Sequence, residues 1–579
     1  MSFGKDKYIL GVSFGFHDSA VCLVQNGKVI SAVEEERFSG IKHDSTFPIQ
    51  SIKWILQNNK LHNTDISTVC YYENPNEKRK RILDIARKTF FKNPIGNLKL
   101  LWKHRNTNND VDDLFKQYVH PNVNIVYGSH HDSHKAYSYF TSSFKNSAVL
   151  TVDGVGEYET TTLTSFDGNK QKPIKSIKFP HSLGMLYSTI TAFLGFKPNE
   201  GEYKVMGLAP YGTEVFYHKK FDKLYTLTDD GGFELNMKYF TYEYSDKVMF
   251  NHKLSELLEI PNRLPNERIT DKHKNIAAAL QHAYEKILFH LLNHLQKETK
   301  EINLCLSGGC AYNGTANGKI QEKTKFKNVW IPSAPSDAGS AIGAALHYYF
   351  TQSKDNWYEI DNQSPFLGPE ENNQEFLEVC RKNEDKIFWE VIPDSTLFRK
   401  VSKLISEGNI IGWVQGKLEF GARALGNRSI LADPRDPQMK KRVNMVVKKR
   451  EGFRPFAPMV TFEDRTKYFT PPYYIPYMNQ IVKVSESHRE NLPAITHTDG
   501  SARVQTLKYN SNPRMYRLLN EYKNITNYPI LLNTSFNLKD QTMVRDSQEA
   551  IDTFMNCDMD YLVIDNIFIS KKILSETLT

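Results

Sequence analysis

Short apolar runs separated by tight turns open the chain and predict a small sheet. Residues 8–14, 20–24 and 28–33 have the strand pattern, and the dipeptide Asn26-Gly27 separates the second run from the third. Asn-Gly between two apolar runs is the strongest short-range signal for a β-hairpin. The pattern therefore predicts three strands, of which the last two form a hairpin.

A similar plan returns near residue 148 and indicates an internal duplication. A strand to residue 152 is followed by the glycine turn 153–156, a strand at 158–166 and a polar turn at 167–169. Two such halves, each opening on a glycine turn, are what the actin-like, sugar-kinase-like ATP-binding architecture requires, with nucleotide phosphates held between the turns. We therefore expect a first domain of the α/β class.

Helical periodicity follows in the middle of the chain. Apolar residues fall on one face of a helix over 271–299, and a strand follows that ends at Ser307 before a pair of glycines that includes Gly309. Glycines at such a junction let a nucleotide approach the backbone, and a helix N-terminus offers free amides to anions. Further on, Asp337 is expected to cap a helix that begins at Ala338.

Polar, aromatic-poor sequence from 352 to 373 indicates a linker between two domains. A chain of 579 residues is too long for one hydrophobic core. We predict a first domain over residues 1–355 and a second α/β domain over residues 365–579. The second domain is expected to contain helices at 397–407, 438–447 and 547–556, strands at 410–414 and 530–532, and a final strand at 561–564.

The composition favours a cytoplasmic protein with anionic ligands. The formal net charge is +8, which suits anions without requiring nucleic acid. The six cysteines show no CxxC pair and no tight spacing, which argues against a zinc ribbon and a disulfide scaffold. No apolar run approaches the roughly 20 residues that span a bilayer. We therefore expect no signal peptide, no membrane anchor and a cytoplasmic location.

A basic stretch over residues 77–105 separates the two halves of the first domain. It begins with a KRKR run at 78–81 and contains several further lysines in a helical pattern. A charge run of this kind is usually a solvated helical face or an insertion. A nucleic-acid-binding patch is the alternative, and the sequence leaves the role of this stretch open.

Two histidines spaced for one helical face suggest a metal site. His130 and His134 stand at positions i and i+4 and could share an ion, whereas two ordinary polar side chains are the alternative. Asp153 on the second glycine turn and Asp337 at a helix start would complete a shell of nitrogen and oxygen ligands. Such a shell suits iron, manganese or zinc, of which we favour iron. The neighbouring His131 is expected to point away.

His17, on the first glycine turn, has two interpretations. It could act as a general base toward an acceptor hydroxyl, or it could cap the backbone. Lys42, His43 and Asp44 form a second polar group in the stretch GIKHDSTFP. A mobile loop that contacts substrate and a plain surface turn are the alternatives for that group.

Cations among glycines, aromatics and prolines cluster in the second domain. Guanidinium groups reach phosphate or carboxylate oxygens bidentately, and lysines add point charge. The candidates are Arg423, Lys448 and Arg454, of which Arg454 lies in FRPFAP, where aromatic and proline residues would bury its stem. A buried arginine needs an anionic partner. The alternative is a set of surface cations stabilised by Glu419 and Asp433.

Further hydrogen-bond donors follow toward the C-terminus. Arg503 in SARVQT and the polar run 533–537 are expected at strand ends. Strand ends and the loops after them are the usual place for ligand contacts on a rigid scaffold. Together with the cation cluster, these groups would line a pocket for an anionic ligand.

At these motifs the chain resembles, over nearly its whole length, the O-carbamoyltransferases of antibiotic, toxin and nodulation-factor biosynthesis, a family typified by the tobramycin carbamoyltransferase. The matching stretches are HDSAVCLV, EEERFSGIKHD, HHDSHKAYSYF, DGVGE, GEYKVMGLAPYG, SGGCAYN, PSDAGSAIGAA, EFGARALGNRSILADPR, KKREGFRPFAP, ARVQT and LNTSFN. The resemblance implies an actin-like ATPase domain, similar to the tRNA threonylcarbamoyl transferase, followed by a YrdC-like α/β domain.

The resemblance also implies a reaction. In that family the second domain makes carbamoyl adenylate from carbamoyl phosphate and ATP, with Mg²⁺, and the first domain transfers the carbamoyl group to a hydroxyl of a small natural product. The metal would bind His130, His134, Asp153 and Asp337, with His17 as the general base and Lys42 near the acceptor. In the first domain, nucleotide would contact Lys204, Gly207, Gly309 and Asn313. Carbamoyl phosphate and the adenylate would contact Arg423, Lys448, Arg454, Arg503, Asn533 and Ser535.

Three other functions fit parts of the sequence. A tRNA-modifying transferase of the threonylcarbamoyl type would hold RNA on the 77–105 stretch, and its binding would weaken steeply with salt. A sugar kinase would leave the cation cluster of the second domain unexplained. A nucleotide-sensing interaction module would not turn over ATP with carbamoyl phosphate. The identity of the acceptor and the oligomeric state stay open, and neither nucleic acid nor a membrane is an expected partner.

Overall fold

A computed structural model of the chain describes residues 8–103, 110–245, 247–352, 360–448 and 456–572. These residues form two units. The first takes the described residues up to Glu35 and those from Ser45 to Gln363, and the second takes Glu36–Asp44 and the described residues from Ser364 onward. The segment Glu36–Asp44 therefore belongs to the second unit, although the residues before and after it in sequence belong to the first.

The first unit contains two sheets of five strands and a short two-stranded sheet. Its strands are β1 (Tyr8–Ser13), β2 (Ala20–Gln25), β3 (Lys28–Glu34), β4 (Ile66–Tyr71), β5 (Asn124–Tyr127), β6 (Asn146–Val152), β7 (Glu159–Asp167), β8 (Lys170–Lys178), β9 (Tyr225–Leu227), β10 (Phe233–Leu235), β11 (Asn303–Ser307) and β12 (Asn328–Trp330). Helix α1 (Glu36–Ser39) belongs to the second unit. The helices of the first are α2 (Ile49–Asn58), α3 (Pro75–Lys88), α4 (Pro94–Lys103), α5 (Asp110–Tyr118), α6 (His130–Phe140), α7 (Leu183–Phe193), α8 (Glu202–Leu208), α9 (His218–Phe221), α10 (His252–Leu258), α11 (Asp271–Thr299), α12 (Gly314–Asn317), α13 (Ile320–Lys323) and α14 (Asp337–Gln352).

The two five-stranded sheets share one topology. The strand order is β3-β2-β1-β4-β5 in one sheet and β8-β7-β6-β11-β12 in the other. In each sheet the first strand pairs antiparallel with the second and parallel with the fourth, and the fourth pairs parallel with the fifth. The duplication predicted from the repeated glycine turns is therefore confirmed, as is the α/β class.

The hairpin between β2 and β3 also forms as predicted. Gln25 pairs with Lys28 across a two-residue loop, and Asn26 and Gly27 have φ angles of +50° and +76°. A two-residue loop with both central residues at positive φ is the type I′ geometry that Asn-Gly favours.

Helices α6 and α14 cross closely beside the sheets, because glycines on α14 leave room for the α6 backbone. A Cβ at Gly343 would lie 1.8 Å from the carbonyl oxygen of Ser133, and a Cβ at Gly339 would lie 2.3 Å from the Tyr137 ring. This approach brings the start of α14, at Asp337, next to the histidines of α6.

The predicted α11 spans Asp271–Thr299 and buries its apolar face.

The second unit is built on an eight-stranded mixed sheet of order β13-β23-β22-β14-β15-β21-β16-β20 and a three-stranded sheet β17-β18-β19. Its strands are β13 (Ile387–Val391), β14 (Ile411–Val414), β15 (Arg428–Ala432), β16 (Ala457–Thr461), β17 (Phe469–Thr470), β18 (Ile481–Val484), β19 (Ser501–Arg503), β20 (Gln505–Leu507), β21 (Ile530–Ser535), β22 (Tyr561–Ile564) and β23 (Ile567–Lys571). Its helices after α1 are α15 (Asn373–Lys382), α16 (Asp394–Ser406), α17 (Met439–Arg442), α18 (Arg465–Tyr468), α19 (Pro513–Thr526) and α20 (Ser547–Met555).

Three local predictions for the helices and the C-terminal strands need correction. The helix expected over 438–447 is a short α17 followed by a π-helical turn over Val443–Val447. The strand at 561–564 is not the last, because β23 turns back and pairs antiparallel with it. Asp337 is the first residue of α14 rather than the residue before it.

No helix in the described ranges is long and apolar enough to cross a membrane.

Candidate functional site

Four side chains of the first unit converge on one point. His130 Nε2 lies 3.0 Å from Asp153 Oδ2 and 3.2 Å from His134 Nε2. Asp337 Oδ1 lies 3.4 Å from His134 Nε2 and 3.7 Å from His130 Nε2. One ligand atom from each residue lies within 4.8 Å of the others, so this His-Asp group has the composition and spacing to hold a metal ion.

Secondary structure positions each member of the His-Asp group. Helix α6 supplies both histidines from neighbouring turns, Asp153 directly follows the buried strand β6, and Asp337 begins α14. The backbone N–H of Gly309 donates to Asp153 Oδ1 at 2.8 Å, which turns Oδ2 toward the histidines. The preceding Gly308 has φ +88°, and a Cβ there would lie 2.2 Å from the Val152 carbonyl oxygen. Glycine is therefore required where the two chain segments meet.

A second layer of polar groups holds the two histidines. Ser340 Oγ lies 3.1 Å from His134 Nδ1, one helical turn after Asp337. A partner on the second ring nitrogen is what fixes the tautomer and orientation of a metal-binding histidine. The backbone N–H of His130 donates to both carboxylate oxygens of Glu157, at 3.0 and 3.1 Å. The motifs PSDAGS and DGVGE contain Ser340 and Glu157, but neither residue was among the predicted site residues.

The side chains of the His-Asp group shift one another's pKa values. Burial alone would lower the pKa of His130, but Asp337 and the hydrogen-bonded Asp153 outweigh burial and raise it to about 9. Burial opposes ionisation of Asp153 and Asp337, yet the neighbouring histidines hold the pKa of both carboxyl groups below the ordinary value. Without a metal, a proton on His130 therefore offsets part of the negative charge of the two carboxylates at neutral pH.

His131 is buried and lies between the two histidines in sequence, but it does not belong to the His-Asp group. Neither ring nitrogen has a hydrogen-bond partner within the described ranges. Burial, followed by the charge of His130, holds the pKa of His131 well below its usual range. The ring is therefore neutral at physiological pH.

His17 lies on the turn after β1, with its Nδ1 3.1 Å from Asp18 Oδ2. Burial lowers its pKa, but Asp337, the contact with Asp18 and Asp153 together raise it to about 9. The charges of the His-Asp group therefore reach His17. In contrast, Lys42 is exposed in the segment Glu36–Asp44, which belongs to the second unit.

The four predicted nucleotide contacts lie in the same unit as the His-Asp group but differ in their surroundings. The N–H of Gly309 is occupied by Asp153. The Asn313 side chain exchanges two hydrogen bonds with Gln281, at 3.0 and 3.1 Å, and caps α12. Lys204 on α8 is half-buried and makes no ion pair with a described residue, and no atom lies within 4 Å of a Cβ built at Gly207.

In the second unit, Lys448 and Ser535 are brought together. The Lys448 ammonium is buried and donates to the Ser535 carbonyl and hydroxyl oxygens and to the Asn537 carbonyl and side-chain oxygens. Asn537, the last residue of LNTSFN, was not among the predicted ligands. Asn533, on the same strand, donates at 3.1 Å to the Ala424 carbonyl oxygen.

The remaining predicted cations of the second unit belong to other segments of the chain than this pair. Arg423, next to Ala424, is partly exposed, and Arg503 ends β19 in the three-stranded sheet. Arg454 lies outside the described residues. The structure thus describes Arg423, Lys448, Arg503, Asn533 and Ser535, and it joins Lys448 to Ser535 directly.

The two acidic residues proposed as partners for surface cations have other roles. Glu419 is fully buried, and its Oε1 accepts the N–H groups of Leu425, Asn427 and Arg428 at 2.8–3.1 Å. It therefore holds the backbone of the GARALGNR loop. Asp433 forms a bidentate pair with Arg435. Glu419 and Asp433 therefore have partners that the surface-cation alternative did not include.

A cavity of about 850 Å³ opens beside α6 in the first unit. Its lining is polar and aromatic, and it includes Ser129, Asp132, Glu157, Tyr158 and His347. None of the four members of the His-Asp group lines it, but Glu157 contacts both the cavity and the backbone of His130. Its volume is that of a site for a small molecule.

Two family models match the chain and together cover most of it. The model described as Carbamoyltransferase N-terminus matches residues 8–346, and the model described as Carbamoyltransferase C-terminus matches residues 402–571. The first match contains the His-Asp group and His17. The second contains Lys448 and Ser535.

Relatives match over most of their length. Nodulation protein NolNO of Sinorhizobium fredii is 37% identical over 96% of this chain and 80% of its own. Nodulation protein NolO of Bradyrhizobium diazoefficiens is 36% identical over 77% of this chain and 79% of its own. An uncharacterized protein of Synechocystis sp. is 38% identical over 97% of both chains.

The solved structures that match the chain share little sequence with it. Full-length HypF in its phosphate- and nucleotide-bound form is 15% identical, with a TM-score of 0.33, and the match covers 62% of this chain and 57% of HypF. Component A of the (R)-2-hydroxyglutaryl-CoA dehydratase of Acidaminococcus fermentans is 13% identical, with a TM-score of 0.31, over 59% of this chain and 98% of its own.

Proposed function

Because the chain belongs to the carbamoyltransferase family, we propose that its second unit makes carbamoyl adenylate from carbamoyl phosphate, water and ATP, with release of phosphate and pyrophosphate. Its first unit then transfers the carbamoyl group to a hydroxyl of a small acceptor and releases AMP. The observation that carries the proposal is the His-Asp group, which gives the first unit a buried, charged centre of its own. The second unit has a separate buried cation, Lys448. Two distinct centres suit two successive steps.

The donor atoms of the His-Asp group fit a divalent metal. Two imidazole nitrogens and two carboxylate oxygens converge from α6, the turn after β6 and the start of α14. This mixed set suits iron, manganese or zinc better than magnesium, which prefers oxygen ligands alone. A bound metal would polarise the carbamoyl carbonyl or a phosphate oxygen. The four side chains would hold the metal ion. Ser340 contacts the His134 ring and Glu157 accepts from the His130 backbone, and both contacts fix the orientation of the histidines.

Metal uptake by the His-Asp group should release protons at neutral pH. The pKa of His130 is about 9 in the metal-free protein, and a histidine must be deprotonated to bind a metal. We expect at least about one proton released per metal bound near pH 7, and a metal affinity that rises at least about tenfold per pH unit below that pKa. Titration calorimetry with Mn²⁺ in buffers of different ionisation enthalpy measures the released protons. The His131→Ala protein should release the same number, and uptake without proton release would contradict this assignment.

His17 is proposed as the general base for the acceptor hydroxyl. The ring pairs with the side chain of Asp18, and within the described ranges it makes no hydrogen bond to backbone, so the capping role has no support there. A base must be neutral to accept a proton. With a pKa raised to about 9 by Asp337, Asp18 and Asp153 against the effect of burial, transfer should rise with pH through the alkaline range. A cation held by the two carboxylates would offset their charge and move this rise to lower pH.

The His17→Gln protein tests this role. A positioned general base contributes about 10²–10⁴-fold in rate, so transfer from supplied carbamoyl adenylate should slow within that range. The rise with pH should also disappear, because it reports the deprotonation of His17. The measurement is the rate of acceptor carbamoylation against pH for both proteins, with metal content as the control. If the variant keeps the parent rate and the same pH dependence, His17 is not the base.

In the second unit, Lys448 is proposed to bind phosphate or the adenylate together with Ser535, Asn533, Arg423, Arg503 and Arg454. Lys448 and Ser535 already contact each other. An ammonium group held among oxygens can exchange one of those contacts for a phosphate oxygen. In the first unit, Lys204 and Gly207 are proposed to contact the nucleotide part of the adenylate, beside the loop of Gly309 and Asn313. Mg²⁺ would accompany ATP as a co-substrate.

The experiment that tests the function uses a panel of small hydroxylated metabolites as acceptors. The purified chain is incubated with carbamoyl phosphate, ATP, Mg²⁺ and each acceptor, and mass spectrometry detects carbamoylated products. We expect at least one acceptor to be carbamoylated only when ATP and carbamoyl phosphate are both present. ATP-dependent phosphorylation of the acceptor without carbamoyl phosphate would instead identify a kinase. Carbamoylation of a tRNA would identify a tRNA-modifying transferase.

A further inference from the structure

An apolar stripe stands exposed on α4 and the 3₁₀ turn before it. The exposed fractions are 94% for Phe91, 74% for Ile95, 61% for Leu98 and 80% for Trp102. Steps of three and four residues place Ile95, Leu98 and Trp102 on one face of α4, and Phe91 lies on the turn before the helix. Single exposed apolar residues are ordinary, but four large ones close together in sequence mark an interaction surface.

The surroundings of the stripe are cationic. Residues 85–102 contain no aspartate or glutamate but do contain four lysines and arginines. Of these, Arg87 pairs with Asp84 and Lys92 with Glu243, at 3.4 and 3.1 Å. Lys88 and Lys99 are exposed and make no ion pair with a described residue. The surface therefore combines apolar side chains with uncompensated positive charge.

We infer that the α4 stripe docks the protein on an anionic lipid surface. A helix with tryptophan, phenylalanine and leucine on one face and lysines beside it is the kind that lies in the plane of a membrane interface. Each nearby lysine or arginine adds attraction to anionic lipid headgroups. This role adds a peripheral membrane contact to a chain for which the sequence suggested none. It also gives the basic 77–105 stretch a function independent of the proposed transfer reaction.

Two other occupants fit these side chains less well. A nucleic acid would use the lysines and stack bases on Phe91 and Trp102, but it gains nothing from the aliphatic Ile95 and Leu98. A second copy of the chain would bring the same lysines opposite each other, and like charges at an interface are unfavourable. An anionic bilayer meets both requirements, because it offers a hydrocarbon phase beneath a negative surface.

The test is co-sedimentation of the purified full chain with vesicles. We expect binding to vesicles of equal parts phosphatidylcholine and phosphatidylglycerol and little binding to phosphatidylcholine alone. The Ile95→Ser, Leu98→Ser, Trp102→Ser triple variant should bind the anionic vesicles at least about tenfold more weakly, because it loses three inserted side chains. The Lys88→Gln, Lys99→Gln double variant should lose about fivefold for each charge.

Controls separate this surface from general stickiness and from unfolding. Val215 and Phe216 are exposed at 63% and 68% elsewhere in the first unit, and a Val215→Ser, Phe216→Ser variant should bind as the parent does. All substituted side chains are exposed, so thermal unfolding should be unchanged. Trp102→Phe should keep binding but lose the fluorescence shift on vesicle addition. Equal binding by the parent and the triple variant would overturn the inference. The inference would also be overturned if the triple variant bound vesicles as the parent does but lost tRNA binding, or lost self-association in sedimentation velocity.

Discussion

The His134→Ala protein is expected to lose carbamoyl transfer by about 10²–10⁴-fold, because a metal ion supplies several kcal/mol of charge stabilisation in the transition state. His134 supplies one of the two imidazole nitrogens of the His-Asp group, and its Nδ1 is held by Ser340. Without that ring, metal content and transfer from supplied carbamoyl adenylate should fall together. Formation of the adenylate in the second unit should continue. Elemental analysis and the two half-reactions, assayed separately, give the result.

His131→Ala is the matched control for this variant. His131 is as buried as His134 and lies on the same helix, but it is not part of the His-Asp group. Its removal leaves a similar cavity, so the two variants should be destabilised to a similar degree. If His134→Ala keeps its metal, or if His131→Ala loses as much metal and transfer, the assignment of the His-Asp group as the metal site is wrong.

The Lys448→Gln protein is expected to lose adenylate formation and to keep carbamoyl transfer, the opposite of the His134→Ala protein. Removing a cation that stabilises developing negative charge in a dry site costs about 10²–10³-fold, so adenylate formation should fall by that factor. Glutamine keeps an N–H donor for the oxygens of Ser535 and Asn537, which limits any loss of packing. Transfer from supplied carbamoyl adenylate and metal content should stay at the parent values.

Lys483→Gln is the control for this second variant. Lys483 belongs to the same unit, but its side chain is exposed and pairs with Asp499 on the surface at 3.5 Å. Its removal should change neither half-reaction, because exposed ion pairs contribute little. Loss of supplied-adenylate transfer in a folded Lys448→Gln protein would count against two separate centres.

Features that depend on neighbouring residues were predictable from the sequence. The hairpin turn at Asn26-Gly27 follows from backbone preference, and the span of α11 follows from its periodic apolar face. The spacing of His130 and His134 needs only one helical turn. The contacts of these histidines with Asp153 and Asp337 join residues that are far apart in sequence. The matching motifs suggested these contacts, and the sheet duplication explains them.

Features that depend on distant residues were not predictable in this way. Arg428 lies in the same basic stretch as the candidate cations, yet it is buried and donates to the carbonyl oxygens of Gln415 and Gly416. Arg37 of α1 donates to the carbonyl oxygen of Gly421, so a segment between two elements of the first unit belongs to the second. Composition and periodicity carry no information about such partners. The Ser340 contact with His134 likewise requires the crossing of α6 and α14.

The most direct test of the two-step account is the stoichiometry of nucleotide products in a complete reaction. The parent protein is mixed with carbamoyl phosphate, ATP, Mg²⁺ and an acceptor that the panel has identified. AMP, pyrophosphate and carbamoylated acceptor are then quantified in the same samples. If carbamoyl adenylate is the donor, all three should form in equal amounts. Carbamoylated acceptor formed while ATP stays intact would show direct transfer from carbamoyl phosphate and would contradict the account.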